Sequence, residues 1–162
     1  MGVRGGRKAV VHAVQALLQQ DVDNLCFVQV DYINAFNLAD RGMAYEEVKK
    51  HFPELSHLVA NCYGVAAKLV YGDSIIHSTR GFHQGDVVAT LLFSLLNHPV
   101  VLKIQEQVLE LLLNGWILDD GALGGPAAAV ARALGILFDE SPKHGLVLST
   151  QLTVPSDPKC TV

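Results

Sequence analysis

Trp116-Ile117-Leu118-Asp119-Asp120-Gly121-Ala122-Leu123-Gly124-Gly125 is an apolar run that ends in two adjacent acids and leaves through glycine. Successive side chains of a strand point to opposite faces, so neighbouring acids aim at one point only where a strand turns. Asp-Gly between two apolar runs is a strong short-range hairpin signal. It predicts a hairpin whose tip presents Asp119 and Asp120, with Gly121 supplying the turn. Alone, such a tip is either a solvated turn or a metal site. A third acid elsewhere in the chain shifts the balance.

That third acid is Asp31. Leu25-Cys26-Phe27-Val28-Gln29-Val30-Asp31 is apolar and β-branched, the pattern of a buried strand, and its acid stands at the carboxyl end. Two strands that each end in acid allow Asp31, Asp119 and Asp120 to converge at one edge of a single sheet. Three clustered carboxylates repel one another unless cations neutralise them. Hard oxygen ligands select Mg²⁺ or Mn²⁺, and Mg²⁺ is usually held by one or two carboxylates together with substrate phosphates. The chemistry that follows is phosphoryl transfer, in which two ions roughly 3.5–4 Å apart clamp the attacking and leaving oxygens and no protein nucleophile is needed.

Composition sets the bounds. At 162 residues, half of them apolar and 17% charged, the chain is expected to be one globular domain. A net charge of -4 and a pI near 5.9 argue against broad electrostatic attraction to nucleic acid, so any such role is local or shared with missing parts. Cys26, Cys62 and Cys160 show neither paired nor CxxC spacing, which points to a reducing compartment. Met1 to Lys8 is basic, but no continuous apolar run follows it, so no secretion signal is expected and the location read from the sequence is intracellular, cytoplasmic or nuclear. The longest apolar stretch, Val87 to Leu96, is interrupted by Asn97-His98-Pro99 and falls short of the ~20 residues of a spanning helix.

The remaining elements follow from period and punctuation. Lys8 to Gln20 places Val10, Val14, Leu17 and Leu18 on one helical face, behind a basic cluster of Arg4, Arg7 and Lys8. Asp40 caps a helix through His51, and Pro53 starts another that runs to Asn61. Ala66 to Val70 and Ser74 to Ser78 form a hairpin around Tyr71-Gly72-Asp73. Asp86 opens the apolar helix Val87 to Asn97, which Pro99 is expected to kink or restart before a second stretch, Val100 to Leu113. Pro126 begins a helix with Val130, Leu134, Leu137 and Phe138 on one face, and Gly145 to Ser149 is a strand.

Three stretches stand in a telling order: Val28-Gln29-Val30-Asp31-Tyr32-Ile33-Asn34-Ala35-Phe36-Asn37, then Gly81-Phe82-His83-Gln84-Gly85-Asp86, then Trp116 to Gly121. Together they resemble motifs A, B and C of a reverse transcriptase palm, nearest in look to the RNA-directed DNA polymerase domains of non-LTR retrotransposons. The resemblance implies Asp31 and Asp119 as metal ligands, with Asp120 the second acid of the pair, and Mg²⁺ or Mn²⁺ as cofactor. It implies that Phe36 closes against a 2′-hydroxyl and so favours deoxynucleotides, where the residue alone reads equally well as core. Gln84 and Gly85 would lie against the incoming nucleotide and template. RNA template, DNA primer and deoxynucleoside triphosphates are the partners implied.

The chain departs from that pattern at several substrate-facing positions. Val87-Val88-Ala89-Thr90 stands where proline and small residues usually follow Gln-Gly-Asp, and Ile117 where an aromatic supports the primer. Ser149 and Leu152 replace an asparagine and a lysine. Histidines His77, His83 and His98 lack HExxH spacing, and Ser94 and Cys62 lack a nucleophile elbow, which disfavours metal-hydrolase and acyl-transfer chemistry.

The expectation is an α+β polymerase palm over residues 1–154, a small antiparallel sheet carrying the acids and covered on one face by helices around Val10, Leu92 and Leu134, with a fingers fragment at the start and no thumb. Residues 155–162 are expected to form an exposed tail. The function expected is two-metal transfer of deoxynucleotides to a primer 3′-hydroxyl. The alternative is a catalytically silent retroelement remnant that serves as a binding or structural module.

Overall fold

The computed structural model describes residues 5–19 and 24–149. The tail expected over 155–162, and Arg4, Leu152 and Cys160, lie outside the described residues.

The β-branched run forms β1 (Leu25–Val30), and the acidic hairpin forms β4 (Leu113–Ile117) and β5 (Asp120–Pro126). These pair antiparallel in the order β1-β5-β4, the central strand being the second arm of the hairpin. Val30 and Trp116 both oppose Gly121, and Ile117 opposes Asp120. Helix α5 (Val87–Gln107) and helix α6 (Ala127–Glu140) build the main core against this sheet, through Leu92, Phe93, Leu96, Val130 and Leu137 packed with Val28, Val30 and Leu123. Helix α1 (Gly6–Leu18) packs through Val10, Val14 and Leu17 on a second cluster with Phe27, Leu113 and Ala122. Phe27 and Val28 are neighbours on one strand and face opposite ways. The helical layer expected on one face is therefore divided, with α5 and α6 behind the sheet and α1 in front.

Motif A continues into a short helix, α2 (Ala35–Leu38), then α3 (Arg41–His51), a 3-10 turn (Pro53–Leu55) and α4 (Ser56–Tyr63). The Asp40 carboxylate accepts from the Met43 N–H, the predicted cap. The hairpin of β2 (Ala67–Tyr71) and β3 (Ser74–Ser78) forms as read and leaves Val70 and Tyr71 largely exposed.

Three expectations are corrected. The helix does not restart at Pro99: α5 runs for 21 residues to Gln107, with Leu95, Leu96, Asn97 and Val100 buried around the proline so that both halves share one core. Continuous α5 is thereby long and apolar enough to cross a membrane, yet eight of its residues are buried in this fold. Leu113, assigned to a second helix, opens β4. Phe138 lies 53% exposed and away from the buried stripe of Val130 and Leu137.

After α6 a 3-10 turn (Ser141–His144) leads back beneath motif A. The predicted strand at Gly145 to Ser149 is reduced to one bridge between Tyr32 and Leu148, flanked by bonds from Ile33 N–H to the Val147 carbonyl (2.7 Å) and from Ser149 N–H to the Asp31 carbonyl (2.8 Å). Tyr32 closes the core beneath the acids. Its hydroxyl donates to Asn97 Oδ1 at 3.1 Å and lies 3.1 Å from Ser141 Oγ, which gives each of these buried polar side chains a partner, and burial pushes its pKa up to about 12.

Candidate functional site

The acid edge is built by register. β1 and β5 pair as far as Val30 and Gly121, and Asp31 and Asp120 are the next residues beyond that pair. Ile117 opposes Asp120 from the other side, which leaves only Leu118 and Asp119 as the hairpin loop. Gly121 is therefore not the turn residue. Leu118 bends the chain instead, with φ of 59°, a left-handed conformation that side-chain-bearing residues adopt at a cost of about 1–2 kcal/mol. Gly121 serves another purpose: a Cβ there would stand 2.7 Å from the Trp116 ring, so the glycine makes room for the indole to lie on the backbone. Trp116 also stacks on Tyr32 with ring centroids 5.9 Å apart, and its Nε1 donates to Asn114 Oδ1 at 2.8 Å.

The three carboxylates share one electrostatic field. Partial loss of hydration raises the Asp120 pKa above its ordinary value, the charges of Asp119 and then Asp31 raise it further, and Arg7 of α1 draws it back. Among the described residues no group of three or more His, Cys, Asp or Glu side chains stands close enough to hold a metal ion. The acids are neighbours at one edge without being gathered around one point.

Motifs A and B meet through the backbone. Phe82 N–H donates to the Phe36 carbonyl at 2.6 Å and Gly81 N–H to the Ala39 carbonyl at 3.0 Å. Gly81, with φ of 72°, lies so close to the Asn37 carbonyl that any side chain would collide with it. Phe36 is half-buried and stacks on Phe93 of α5 with centroids 4.8 Å apart, so its ring belongs to the core in this arrangement. Gln84 and Gly85 lie exposed in the turn before α5.

Sequence reading missed what holds that turn. Arg41 donates through Nε to the Gly81 carbonyl (2.6 Å), and through its other nitrogens to the Ser78 carbonyl (2.9 Å), Ser78 Oγ (3.0 Å) and the Arg80 carbonyl (3.2 Å). Its guanidinium also lies 5.4 Å over the Tyr63 ring. Tyr63 donates its hydroxyl to Asp86, whose other oxygen accepts from the Val88 N–H and caps α5. The hydrogen bond from Tyr63 leads the causes that lower the Asp86 pKa, while desolvation takes Tyr63 up to about 12. Only the cap was visible in advance, through the placement of Asp86 before an apolar run. A cavity of about 760 Å³ is lined by Gly85, Asp86, Leu91, Leu95 and His98, by Phe52 after α3 and by Leu118 of the hairpin tip.

A three-stranded antiparallel sheet with an acid-tipped hairpin, backed by two helices, is an α+β fold of the polymerase-palm kind. Comparison with solved structures agrees. The chain is similar to telomerase from Candida albicans in complex with the TWJ fragment of telomeric RNA, with a TM-score of 0.68 at 11% identity over 99% of this chain and 32% of that one. It is also similar to apo telomerase from Candida tropicalis truncated from its C-terminal domain, with a TM-score of 0.67 at 10% identity over 94% of this chain and 35% of that one. The chain thus spans about a third of the length of these structures, and at such identity the likeness shows a reverse-transcriptase-like fold. No protein-family model matches the chain, and no curated protein matches it.

Proposed function

We propose that this chain is the palm of an RNA-directed DNA polymerase of retroelement, non-LTR type, which adds deoxynucleotides to a primer 3′-hydroxyl on an RNA template. The observation that supports the reading is that Asp31 and Asp120 end adjacent strands at one sheet edge with Asp119 at the adjoining hairpin tip, near enough for the charges of Asp119 and Asp31 to act on Asp120. The telomerase-like fold supports it, and so does the order of the three motifs along the chain.

The donor set suits hard divalent cations. Like-charged carboxylates in one field gain from a cation between them, and Mg²⁺ needs only one or two carboxylates when substrate phosphates complete its shell. Asp31 and Asp119 would hold Mg²⁺ or Mn²⁺, with Asp120 beside them; when bound, such ions lower the pKa of the attacking hydroxyl and stabilise the leaving phosphate. The chain's own residues do the positioning. The Leu118 bend fixes Asp119 at the tip, the Tyr32–Trp116 stack supports the strand ends from beneath, and the Arg41–Tyr63–Asp86 set holds Gln84 and Gly85 at the head of α5, where a nucleotide and template would pass.

A second reading has its own observation. Phe36 is stacked into the core on Phe93 and Ile117 replaces the primer-supporting aromatic, which favours a silent remnant that keeps the fold and serves as a binding module. Primer extension on an RNA template with Mg²⁺ or Mn²⁺ separates the two. The polymerase reading expects deoxynucleotide addition that Asp119→Asn abolishes; absence of extension with either ion leaves the remnant.

A further inference from the structure

Directly opposed residues of an antiparallel pair share a face, and the face alternates along each strand. Gln29 opposes Ala122, Ala122 opposes Gly115, and Asp120 opposes Ile117, so Asp31, Asp120 and Ile117 lie on the same side of the sheet as Gln29, Ala122 and Gly115. Helix α1 lies on that side too. A Cβ built on Gly115 would touch Val10 Cγ1 at 3.4 Å, and one on Gly124 would run into the end of the Leu17 side chain.

The direction of α1 matters. Val10 sits over Gly115, while Leu17 sits over Gly124, which pairs with Leu113 two ranks farther from the acids. The helix therefore points its first turn toward the acid edge. From Val10 back to Gly6 is about 6 Å of helix, which carries the first turn of α1 from over Gly115 toward the acid end of β4. Arg7 of that turn stands near enough to Asp120 for its charge to act there. Asp31 and Asp120 stay exposed at the edge, while the same face beside them, over Gly115 and Gly124, is occupied by α1.

The attachment of α1 is slight. Leu17 is its one buried residue among those described, and the cluster beneath it, apart from the main core, has only Leu17, Leu113 and Ala122 buried, with Val10, Ala13, Val14 and Phe27 half-buried around them. Its amino end has no side-chain cap and no acid in the first turn. A helix of 13 residues that rests on so small a patch gains little from being docked and is marginal alone in water.

We propose that α1 is a displaceable cover over the acid-bearing face of the sheet, and that a primer–template duplex using these acids enters only with α1 lifted. This rests on the polymerase reading for the identity of the duplex, and on the geometry alone for the cover.

The test uses the full chain with Val10→Cys and Gly115→Cys, and with Cys26→Ala, Cys62→Ser and Cys160→Ser, so that oxidation bolts α1 to β4 and reduction frees it. Gly124→Ala supplies the opposite perturbation by pushing Leu17 outward. Amide hydrogen exchange is read in α1 and β5, and the affinity for a short fluorescein-labelled RNA–DNA hybrid is read by anisotropy. The cover predicts α1 amides that exchange at least about tenfold faster than those of β5, faster still in Gly124→Ala and slowed by oxidation. It also predicts hybrid affinity that falls at least about tenfold on oxidation and returns on reduction. Amides of α1 that exchange only together with β5, or equal hybrid affinity in the bolted and freed forms, overturn it. Independent opening of α1 with no hybrid binding in either form upholds the cover and overturns the polymerase reading instead.

Discussion

At the scale of single residues, the acid edge depends on side chains that are small or strained. Gly121 lets the Trp116 ring lie on the backbone of β5, directly below the rank of Asp31 and Asp120. Gly121→Ala should displace that ring and cost about 1–3 kcal/mol, read by urea unfolding, with a shift in the emission of the chain's one tryptophan as the local signature. Equal stability and unshifted emission would show that the close packing is not needed. The sequence showed that a glycine follows the acids but not why: Asp-Gly reads as a turn, and only the register, set by Ile117 opposite Asp120, moves the turn to Leu118-Asp119. His144 gives a second residue-scale expectation. It is 7% exposed, its Nδ1 has no hydrogen-bond partner among the described residues, and burial holds its pKa below the ordinary 6.5. The unfolded imidazole takes a proton where the folded one resists it, so stability is full above pH 6.5 and falls as pH drops below that value. Urea midpoints that decline between neutral and mildly acidic pH, with a shallower decline in His144→Leu, are expected; a parallel decline in the variant contradicts the assignment.

At the scale of elements, α5 links motif B to the core. Asp86 caps it and receives the Tyr63 hydroxyl, so Asp86→Ala removes a cap and strands a phenol, at a combined cost of about 2–3 kcal/mol by denaturant titration. Asp86→Asn, which keeps an acceptor, should recover part of that loss. Pro99 interrupts the hydrogen-bond ladder of α5 without ending it, and Pro99→Ala is expected to raise stability by about 1–3 kcal/mol. A loss on that substitution would mean that the ring's packing outweighs the missing N–H. Start signals such as Asp40 and Asp86 were legible because a cap is a local event. The fate of Pro99 was not, because burial of Leu95, Leu96, Asn97 and Val100 is a tertiary matter that local propensity does not see. The Arg41 clamp on residues 78 to 81 was likewise invisible, since nothing in the sequence marks which carbonyls a lone arginine will meet.

At the scale of the whole molecule, a three-stranded sheet, two backing helices and one covering helix make a palm-like unit that matches about a third of a telomerase chain. The backing helices are joined at their far ends by Glu140, which binds Lys103 of α5 and Lys143 at 2.7 Å each, bonds that hold its carboxyl down at about 2. The contribution of this link is present above the ordinary carboxylate value of 4.5 and lost as pH falls toward 2. The fold was legible because motifs A, B and C carry their own strand and turn signals in fixed order. The position of α1 was not, because an amphipathic helix shows that it has an apolar face and not which side of a sheet receives it. The proposed function stands on Asp31, Asp119 and Asp120 sharing bound cations at the acid edge. A Mn²⁺ titration followed by electron paramagnetic resonance tests it most directly, in the full chain and in Asp31→Asn and Asp119→Asn. The account predicts binding that each substitution weakens at least about tenfold, as expected for a shared hard-oxygen site; Mn²⁺ affinity that is unchanged by both substitutions, or no binding in the unsubstituted chain, contradicts it.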